Sequence, residues 1–326
     1  MRLALGVDVG SVSTNLVAVD EQGRVQSKLY LRTQGNPIRV VQEGLKELKA
    51  TLPPDAEIVA CGTTGSGRRL AGHLLAADSV KNEITAHAMA ALSVNPQVRT
   101  VFEIGGQDSK IIILRDGVVV DFAMNTICAA GTGSFLDRQA ARLGVHISEL
   151  GDLALSAKQA TRIAGRCAVF AESDMVHKQQ MGHPVAEIVR GLCDALVRNY
   201  LGNVAKGKDI EPPIIFQGGV AANKGIRQAF VSALQQEIEV PEHYDVMGAL
   251  GAALLAERAT VHRGKASSWR GFAVADADCQ AVSHDCNGCS NCCEVVEFRI
   301  ANASIACWGD RCGKWSHGKV AEVADS

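Results

Sequence analysis

The chain has 326 residues, enough for two domains of roughly 150 residues each. Hydrophobic residues make up 47% and charged residues 21%, a globular balance that excludes a disordered or collagen-like chain. The formal net charge of -2 gives no basic field for nucleic acid, and no apolar run approaches the roughly 20 residues of a membrane-spanning helix. Asp8 follows the N-terminus too early for a signal peptide, so we expect a cytoplasmic protein with 11 reduced cysteines.

The first 258 residues predict a duplicated α/β fold. Two regions share the order strand, Gly/Asp/Ser turn, strand, Asp-x-Gly turn, strand, which indicates an internal duplication. The predicted strands are Leu3–Asp8, Asn15–Val19 and Arg24–Arg32 in the first region, and Thr100–Ile104, Lys110–Leu114 and Val118–Phe122 in the second. Short strands are predicted at Ile58–Cys61 and Ile214–Gln217, and helices at Pro37–Ala50, Ser79–Val94, Val185–Tyr200, Asn223–Glu237 and Met247–Arg258.

The turns between the first two strands of each region indicate phosphate and metal chemistry. Such turns direct several backbone N–H groups toward one point, which suits phosphate oxygens. Asp8 and Asp108 occupy matching positions, and two facing carboxylates can hold Mg²⁺ through water. The Gly218-Gly219 turn would let a base or ribose approach the backbone closely. There is no P-loop motif and no dinucleotide fingerprint in a βαβ context.

Three segments carry a resemblance to a known family: Leu5–Ser11 (LGVDVGS), Glu103–Lys110 (EIGGQDSK) and Asn125–Phe135 (NTICAAGTGSF). Over about residues 3–258 the chain resembles the ATP-dependent activators of 2-hydroxyacyl-CoA dehydratases. That family also includes ATPase subunits of benzoyl-CoA reductase and the reductases of double-cubane cluster proteins. The resemblance implies the actin, Hsp70 and sugar-kinase ATPase fold, which is ribonuclease H-like.

These motifs supply the expected site residues. Catalysis is assigned to Asp8, Gln107 and Asp108, the two aspartates also holding Mg²⁺ through water. ATP or ADP is expected to contact Gly10, Ser11, Ser13, Thr14, Gly105, Gly106, Lys110, Gly131, Thr132, Gly133, Gly218, Gly219, Val220 and Asn223.

Two cysteines, Cys128 and Cys167, each precede a predicted helix beside a Gly-containing turn. A helix N-terminus lowers a thiol pKa and stabilises an anionic cluster. A [4Fe–4S] cluster needs four thiolates, which a two-fold dimer supplies from two such pairs. The resemblance implies this arrangement, one cluster bridging a homodimer. The alternative is that both are ordinary buried cysteines, as we expect for Cys61 and Cys193.

The remaining seven cysteines lie in a short C-terminal stretch: Cys279, Cys286, Cys289, Cys292, Cys293, Cys307 and Cys312. Such density in a reducing compartment favours metal over disulfides, and either Zn²⁺ or a second cluster could use Cys286, Cys289, Cys292 and Cys293. With a polar linker near 259–268, we expect ATPase subdomain I at 1–95 with 246–258, subdomain II at 96–245 with the cluster ligands, and a separate Cys-rich tail at 259–326.

The predicted function is ATP-driven one-electron donation at low potential. The homodimer would receive electrons from ferredoxin or flavodoxin and pass them to a partner iron–sulfur enzyme: a 2-hydroxyacyl-CoA dehydratase, a benzoyl-CoA reductase or a double-cubane cluster protein. ATP can drive such a step only if nucleotide states differ in the affinity for the electron. A small-molecule kinase of the same fold is the first alternative, although no catalytic base can be assigned. An ATP-switched, metal-dependent assembly protein is the second.

Overall fold

The computed structural model describes residues 1–125, 128–261 and 264–316. The chain forms two compact units, the first made of residues 1–83 and the chain from 248 onward, the second of residues 84–247. The expected three-part division into separate domains stays a prediction, because contacts do not test independent folding. Positions 126 and 127 of the third family motif and 262 and 263 of the linker lie outside the described residues. Among the described helices, none combines the length and apolarity required to cross a membrane.

The structure contains thirteen strands and nine α-helices in its described parts. The strands are β1 (Arg2–Val9), β2 (Ser13–Asp20), β3 (Val25–Arg32), β4 (Glu57–Thr64), β5 (Ser79–Val80), β6 (Thr100–Ile104), β7 (Ser109–Arg115), β8 (Val118–Asn125), β9 (Ile214–Gln217), β10 (Ile238–Glu239), β11 (Cys279–Asp285), β12 (Glu294–Ile300) and β13 (Ala303–Trp308). The helices are α1 (Pro37–Thr51), α2 (Arg68–Leu75), α3 (Glu83–Val94), α4 (Gly133–Leu143), α5 (Leu150–Ser156), α6 (Ala168–Gln180), α7 (Val185–Asn203), α8 (Lys224–Leu234) and α9 (Met247–Thr260).

The predicted duplication is confirmed by the two large sheets. The first has the order β3-β2-β1-β4-β5 and the second the order β8-β7-β6-β9-β10. In both, three antiparallel strands are followed by two that run parallel to the first strand of the meander. The repeated sequence pattern therefore corresponds to one repeated sheet topology, an α/β architecture.

Two glycines of the first sheet allow α9 to lie directly on the strands. A Cβ at Gly6 would lie 1.9 Å from the Ala249 carbonyl oxygen, and one at Gly62 would lie 2.1 Å from that of Ala252. No side chain larger than hydrogen fits at either position. Gly6 belongs to the first family motif, and its role here is helix packing. Gly62 lies within the sheet, and β4 continues to Thr64, three residues beyond the predicted strand end at Cys61.

The core of the second unit contains an aromatic group. The Phe102 ring lies 5.3 Å from that of Tyr200 and 5.0 Å from that of Phe230, and all three side chains are fully buried. The Tyr200 hydroxyl donates to the carbonyl oxygen of Lys110 at 2.7 Å, which satisfies its polar end inside the core. The group thereby fixes β7 against α7, close to the turn that carries the second family motif.

The C-terminal region is not an appendage to the first unit but part of its core. Strands β11, β12 and β13 form an antiparallel sheet, and Phe298 of β12 is fully buried in the same apolar cluster as α1 and α2. Gln42 donates to the carbonyl oxygens of Val274 at 3.0 Å and Ala277 at 2.8 Å, and the His73 ring stacks on Trp308 at 5.3 Å. The C-terminal sheet therefore packs on α1 and α2 within the first unit.

One predicted helix begins later than expected. Ser79–Val80 forms the edge strand β5, paired in parallel with β4, and α3 starts only at Glu83. The Asp78 carboxylate accepts from the Cys61 backbone N–H at 2.8 Å and from the Ser268 backbone N–H at 2.7 Å. These bonds hold Ser79 and Val80 extended against the sheet. Tertiary contacts therefore override the helix propensity of this segment.

Candidate functional site

The turn between β1 and β2 carries the first group of expected site residues. The Gly10 N–H donates to the Ser13 carbonyl at 2.9 Å, which closes the turn, while Ser11 is exposed at its tip. Asp8 is half-buried at the end of β1, opposite Asn15 and Thr64. The hard carboxylate oxygens and the adjacent open backbone turn fit the chemistry of a hydrated Mg²⁺ and a phosphate.

A glycine with a left-handed backbone lies against Asp8. Gly65 has φ +90°, and a Cβ there would lie 2.5 Å from the Asp8 Oδ1 atom and 2.4 Å from the Val9 carbonyl oxygen. Any side chain at this position would displace the carboxylate. Gly65 therefore adjoins an expected site residue, although no sequence motif singled it out.

The turn between β6 and β7 contains a buried network of charges. The Lys110 ammonium donates to Glu103 Oε2 at 2.9 Å and to Asp108 Oδ2 at 2.8 Å. The Lys110 and Glu103 side chains are 3% and 6% exposed, whereas that of Asp108 is 32% exposed. Lys110 therefore pairs with the buried carboxylate of Glu103 and with the solvent-accessible carboxylate of Asp108. Sequence reasoning missed Glu103, although it begins the Glu-Ile-Gly-Gly motif.

The second unit gathers three glycine-containing segments around this network. The Gly133 and Ser134 N–H groups donate to the carbonyls of Gly105 and Gly106, both at 2.8 Å. A Cβ at Gly218 (φ +90°) would lie 2.7 Å from Glu103 Oε1. The segments Gly105–Gly106, Gly131–Gly133 and Gly218–Val220 thus adjoin one another, with Gln107 exposed at the tip of the turn, and their contacts with nucleotide stay predictions. Asp8 lies in the other unit, so its sharing of one Mg²⁺ with Asp108 stays a prediction.

Three of the expected nucleotide residues have clear structural partners. The Thr14 and Thr33 hydroxyls are hydrogen-bonded at 3.0 Å, and Thr14 is fully buried. The Thr132 hydroxyl donates to the Ala129 carbonyl at 2.8 Å, and the Asn223 side chain caps α8 by accepting from the Ile226 N–H at 3.1 Å. These bonds shape the turns, and direct nucleotide contacts by the three residues stay predictions.

Cys128 lies at the start of a short 3-10 turn that leads into α4. The Asn125 side chain holds its backbone on both sides, accepting from the Cys128 N–H at 2.9 Å and donating to its carbonyl at 2.8 Å. The thiol is half-buried. The cysteine is therefore fixed at a helix entrance while its sulfur remains within reach of a ligand.

Cys167 is the residue that precedes α6, and its thiol is also half-buried. The turn before it is held by α7: Arg198 donates to the Ile163 carbonyl at 2.7 Å and Asn199 to the Gly165 carbonyl at 2.6 Å. A Cβ at Gly131 would lie 2.9 Å from Asn199 Oδ1, so Asn199 contacts both cysteine-bearing turns. Asn125 belongs to the third family motif but was given no role there, and Asn199 was not singled out because nothing local marks a residue of α7 that holds the turn before Cys167.

The helices that follow the two cysteines are joined by ion pairs. Arg138 and Arg142 of α4 both lie 2.8 Å from the Glu172 carboxylate of α6. Burial opposes ionisation of Glu172, but the hydrogen bond and charge of Arg138 and the charge of Arg142 outweigh it and lower the pKa of this carboxyl. The second half of α4 is therefore joined to the first half of α6 at neutral pH.

Cys61 and Cys193 differ from this pair, as expected. Both are buried, and burial raises the pKa of the Cys193 thiol to about 12 and that of Cys61 well above its ordinary value. A protonated, enclosed thiol is neither a nucleophile nor a ready metal ligand.

The C-terminal cysteines do not form a ready-made metal site. Across residues 1–125, 128–261 and 264–316, no three His, Cys, Asp or Glu side chains converge on a potential metal position. Cys286 is buried, Cys293 is half-buried, and Cys289 and Cys292 are exposed. A hydrogen bond from the Trp315 indole N–H at 3.3 Å lowers the pKa of the Cys286 thiol.

The fold and the two phosphate-type turns define an ATPase of the actin, Hsp70 and sugar-kinase class. The chain belongs to the BadF/BadG/BcrA/BcrD ATPase family, whose profile matches residues 5–256. It is 34% identical over 255 residues to the (R)-2-hydroxyglutaryl-CoA dehydratase activating ATPase of Acidaminococcus fermentans, covering 77% of this chain and 96% of that protein.

Solved structures agree with the fold. The activator of the 2-hydroxyisocaproyl-CoA dehydratase from Clostridium difficile, with bound ADPNP, has a TM-score of 0.72 at 30% identity and covers 80% of this chain and 97% of its own. The ethanolamine utilization protein EutJ from Carboxydothermus hydrogenoformans has a TM-score of 0.52 at 19% identity, covering 77% and 89%, which is a likeness of fold alone. The fold class and family expected from the sequence motifs are thereby confirmed.

Proposed function

We propose that this ATPase is an ATP-dependent one-electron donor that activates a partner iron–sulfur enzyme. Relatives with about a third of their residues identical are named as activators of 2-hydroxyacyl-CoA dehydratases, and a further relative belongs to the benzoyl-CoA reductase of Thauera aromatica. The partner is accordingly an enzyme of the dehydratase or benzoyl-CoA reductase type, or a double-cubane cluster protein. The protein acts in the cytoplasm and receives its electron from ferredoxin or flavodoxin.

The observation that carries the proposal is the matched environment of Cys128 and Cys167. Each thiol is half-buried at the entrance of a helix, each turn is fixed by an asparagine, and α4 and α6 are joined through Glu172. Soft sulfur donors at helix N-termini fit an anionic [4Fe–4S] cluster, which supplies one-electron chemistry when bound. One chain offers two thiolates, so a homodimer provides the required four.

Exposed apolar residues beside Cys167 support a shared site. Val169 and Phe170, in the first turn of α6, are 69% and 66% exposed. Adjacent large apolar side chains are unusual on a free surface and suit burial by a second protein chain. In the homodimer they would shield the cysteine sulfurs from water.

Nucleotide chemistry is assigned to the two β-turns. Asp8 and Asp108 hold Mg²⁺ through water, and the turn of Gly10, Ser11 and Ser13, with that of Gly105 and Gly106, binds phosphate. Gln107, exposed beside Asp108, orients the attacking water.

Because Gly133 and Ser134 are hydrogen-bonded to Gly105 and Gly106, a movement of the phosphate-binding turn is transmitted to the start of α4 and to Cys128. This is a physical link between nucleotide state and the cysteine turns.

The test is iron content in single cysteine variants of the full chain, purified without oxygen. Cys128→Ser and Cys167→Ser should each lose about four irons per dimer, since a cluster needs all its thiolates. Cys193→Ala in the same unit is the matched control and should retain them. Unchanged iron in either thiol-to-hydroxyl variant would contradict the shared cluster.

A second measurement addresses ATP coupling. The reduction potential, followed by electron paramagnetic resonance, should differ between the ADP state and the state with a non-hydrolysable ATP analogue, because a nucleotide shifts an equilibrium only through differential affinity. Equal potentials would exclude ATP-driven electron donation. Phosphorylation of a sugar or other small molecule would instead favour the kinase alternative, which has less support because the relatives named above are activators.

A further inference from the structure

Four cysteines of the C-terminal sheet lie in one tight reverse turn. Residues 286–293 join β11 to β12 and are called the thiol turn below; its cysteines are Cys286, Cys289, Cys292 and Cys293. All four are free thiols. The thiol turn lies outside residues 5–256, which match the family, so the ATPase features above do not account for it.

The two ends of the thiol turn present their side chains next to each other. The Cys286 N–H donates to the Cys293 carbonyl at 2.8 Å, and the pair continues the Asp285–Glu294 register of β11 and β12 by one residue. Directly opposed residues of an antiparallel pair share one face of the sheet, with Cβ atoms about 4.5–5.5 Å apart. Two thiols therefore project from the same face at the end of the hairpin.

The middle of the thiol turn folds back on itself. The Cys292 N–H donates to the Cys289 carbonyl at 3.2 Å, and Cys292 has φ +41°, a left-handed conformation uncommon outside glycine. This reversal places Cys289 and Cys292 in the same tight bend between the two strand ends. Both side chains are exposed, so they can rotate without disturbing the core.

The buried sulfur of Cys286 accepts from two N–H donors and lies near one cation, Lys314, and one anion, Asp310. It accepts from the Trp315 indole N–H at 3.3 Å and from the Gly288 backbone N–H. A Cβ at Gly288 would lie 3.4 Å from this sulfur and 3.6 Å from the Lys314 ammonium, so both groups adjoin the glycine. Outer N–H donors of this kind orient metal-bound thiolates and raise their affinity for metal.

We infer that the thiol turn binds one divalent thiophilic ion such as Zn²⁺ through the sulfurs of Cys286, Cys289, Cys292 and Cys293. A tetrahedral site with Zn–S bonds of about 2.3 Å separates its sulfurs by roughly 3.8 Å, a spacing within reach of the opposed pair and of a short turn. A four-iron cube is larger and would hold its ligands further apart. The four thiols lose four protons on binding, and Lys314 offsets part of the resulting negative charge.

Binding of the ion closes the turn. Among the described residues the sulfurs do not converge on one point, so the exposed Cys289 and Cys292 rotate inward on binding while Cys286 stays in place. The ion would then join the ends of β11 and β12 at the thiol turn. The sheet to which these strands belong packs on α1 and α2. The site is independent of Cys128 and Cys167, which lie in the other unit.

The test is a Co²⁺ titration of the reduced, metal-free full chain, followed by displacement with Zn²⁺. Thiolate-to-cobalt absorption should saturate at one ion per chain. The same stoichiometry is expected in the Cys128→Ser/Cys167→Ser background, which removes the other candidate thiols. Cys289→Ser should lower Co²⁺ affinity at least tenfold, whereas Cys312→Ser, an exposed cysteine outside the turn, is the matched control and should not change it.

A variant at a residue that is not a ligand tests whether the N–H donor to Cys286 supports metal binding. Trp315→Phe keeps the aromatic ring and removes the N–H donor to Cys286, so cobalt affinity should fall about 10–100-fold with stoichiometry unchanged. No thiolate-to-cobalt absorption in the Cys128→Ser/Cys167→Ser background would overturn the inference. An equal loss of cobalt affinity in Cys312→Ser would also overturn it. So would iron and inorganic sulfide retained in the Cys128→Ser/Cys167→Ser background.

Discussion

The Lys110 ammonium lies 2.9 Å from the Glu103 carboxylate in the interior of the second unit, beneath the turn that carries Asp108. Both side chains are almost fully buried, and Lys110 bonds Asp108 at 2.8 Å as well. One buried cation thus holds two carboxylates at the base of a phosphate-type turn. The lysine therefore supports this turn, and its expected contact with nucleotide stays a prediction.

Removing this cation should destabilise the folded protein. Lys110→Met leaves a buried carboxylate uncompensated and should lower the free energy of unfolding by about 3–5 kcal/mol, measured by denaturant unfolding. Adding Glu103→Gln to it should restore part of the loss, because the unpaired charge is gone. Lys224→Met, whose partner Asp152 is exposed, should change stability by less than about 0.5 kcal/mol. A similarly small effect of Lys110→Met would contradict the buried network.

The carboxylates assigned to Mg²⁺ should affect turnover more than binding. Asp8→Asn and Asp108→Asn should each lower Mg²⁺-dependent ATP hydrolysis by about 10²-fold or more, with a smaller change in nucleotide affinity, because they act mainly through the metal. Hydrolysis rates and equilibrium binding of ATP are measured on the same preparations. Asp152→Asn, at an exposed ion pair, is the control. Wild-type turnover in the double variant would refute the assignment.

Asn199 should control the accessibility of Cys167. Asn199→Ala removes the bond to the Gly165 carbonyl and should lower the free energy of unfolding by about 1–3 kcal/mol, since a buried carbonyl loses its donor. In iron-free protein the alkylation rate of Cys167, followed by mass spectrometry, should rise. Arg190→Ala, which removes a bond to Ala157 before α6, should leave that rate unchanged. Equal alkylation rates in wild type and Asn199→Ala would show that the turn is held by other contacts.

His87 should contribute to acid instability of the second unit. Burial, assisted by the charge of Lys110, lowers its pKa to about 3, and its Nδ1 atom accepts from Gln217 at 2.8 Å. The unfolded chain takes up this proton below about pH 6.5, so stability is unaffected above that pH and is lost as the pH falls toward 3. The loss is of the order of 5 kcal/mol.

Urea unfolding between pH 3 and 7 measures this contribution. His87→Gln should flatten the decline in stability, whereas His177→Gln, at an exposed histidine, should leave it intact. An identical pH profile for His87→Gln and wild type would mean that other groups dominate acid unfolding.

The packing of the C-terminal sheet can be tested without removing it. Phe298→Ala deletes a fully buried ring shared with α1 and α2 and should destabilise the first unit by about 3–5 kcal/mol. Val282→Ala, at an exposed position of β11, should cost less than about 0.5 kcal/mol. If Phe298→Ala unfolds at the same denaturant concentration as wild type, the sheet adds nothing to the core.

The sequence by itself determined the repeated strand order, the family and most turn residues of the candidate site. These features are local: alternating apolar runs, glycines where the backbone must turn, and Asp or Ser beside them. The glycine-containing segments at Gly105, Gly133 and Gly218 meet in the structure as the motifs indicated.

Only the tertiary structure decided what lies behind those turns. Glu103 and Asn199 act through partners that folding brings to them, in the case of Asn199 across more than thirty residues, and Gly6 is required by a helix from the other end of the chain. The cysteines of the C-terminal region distinguish it in the sequence, and only the structure shows that buried Phe298 joins it to α1 and α2. Packing between distant segments depends on three-dimensional neighbours, which no local residue pattern encodes.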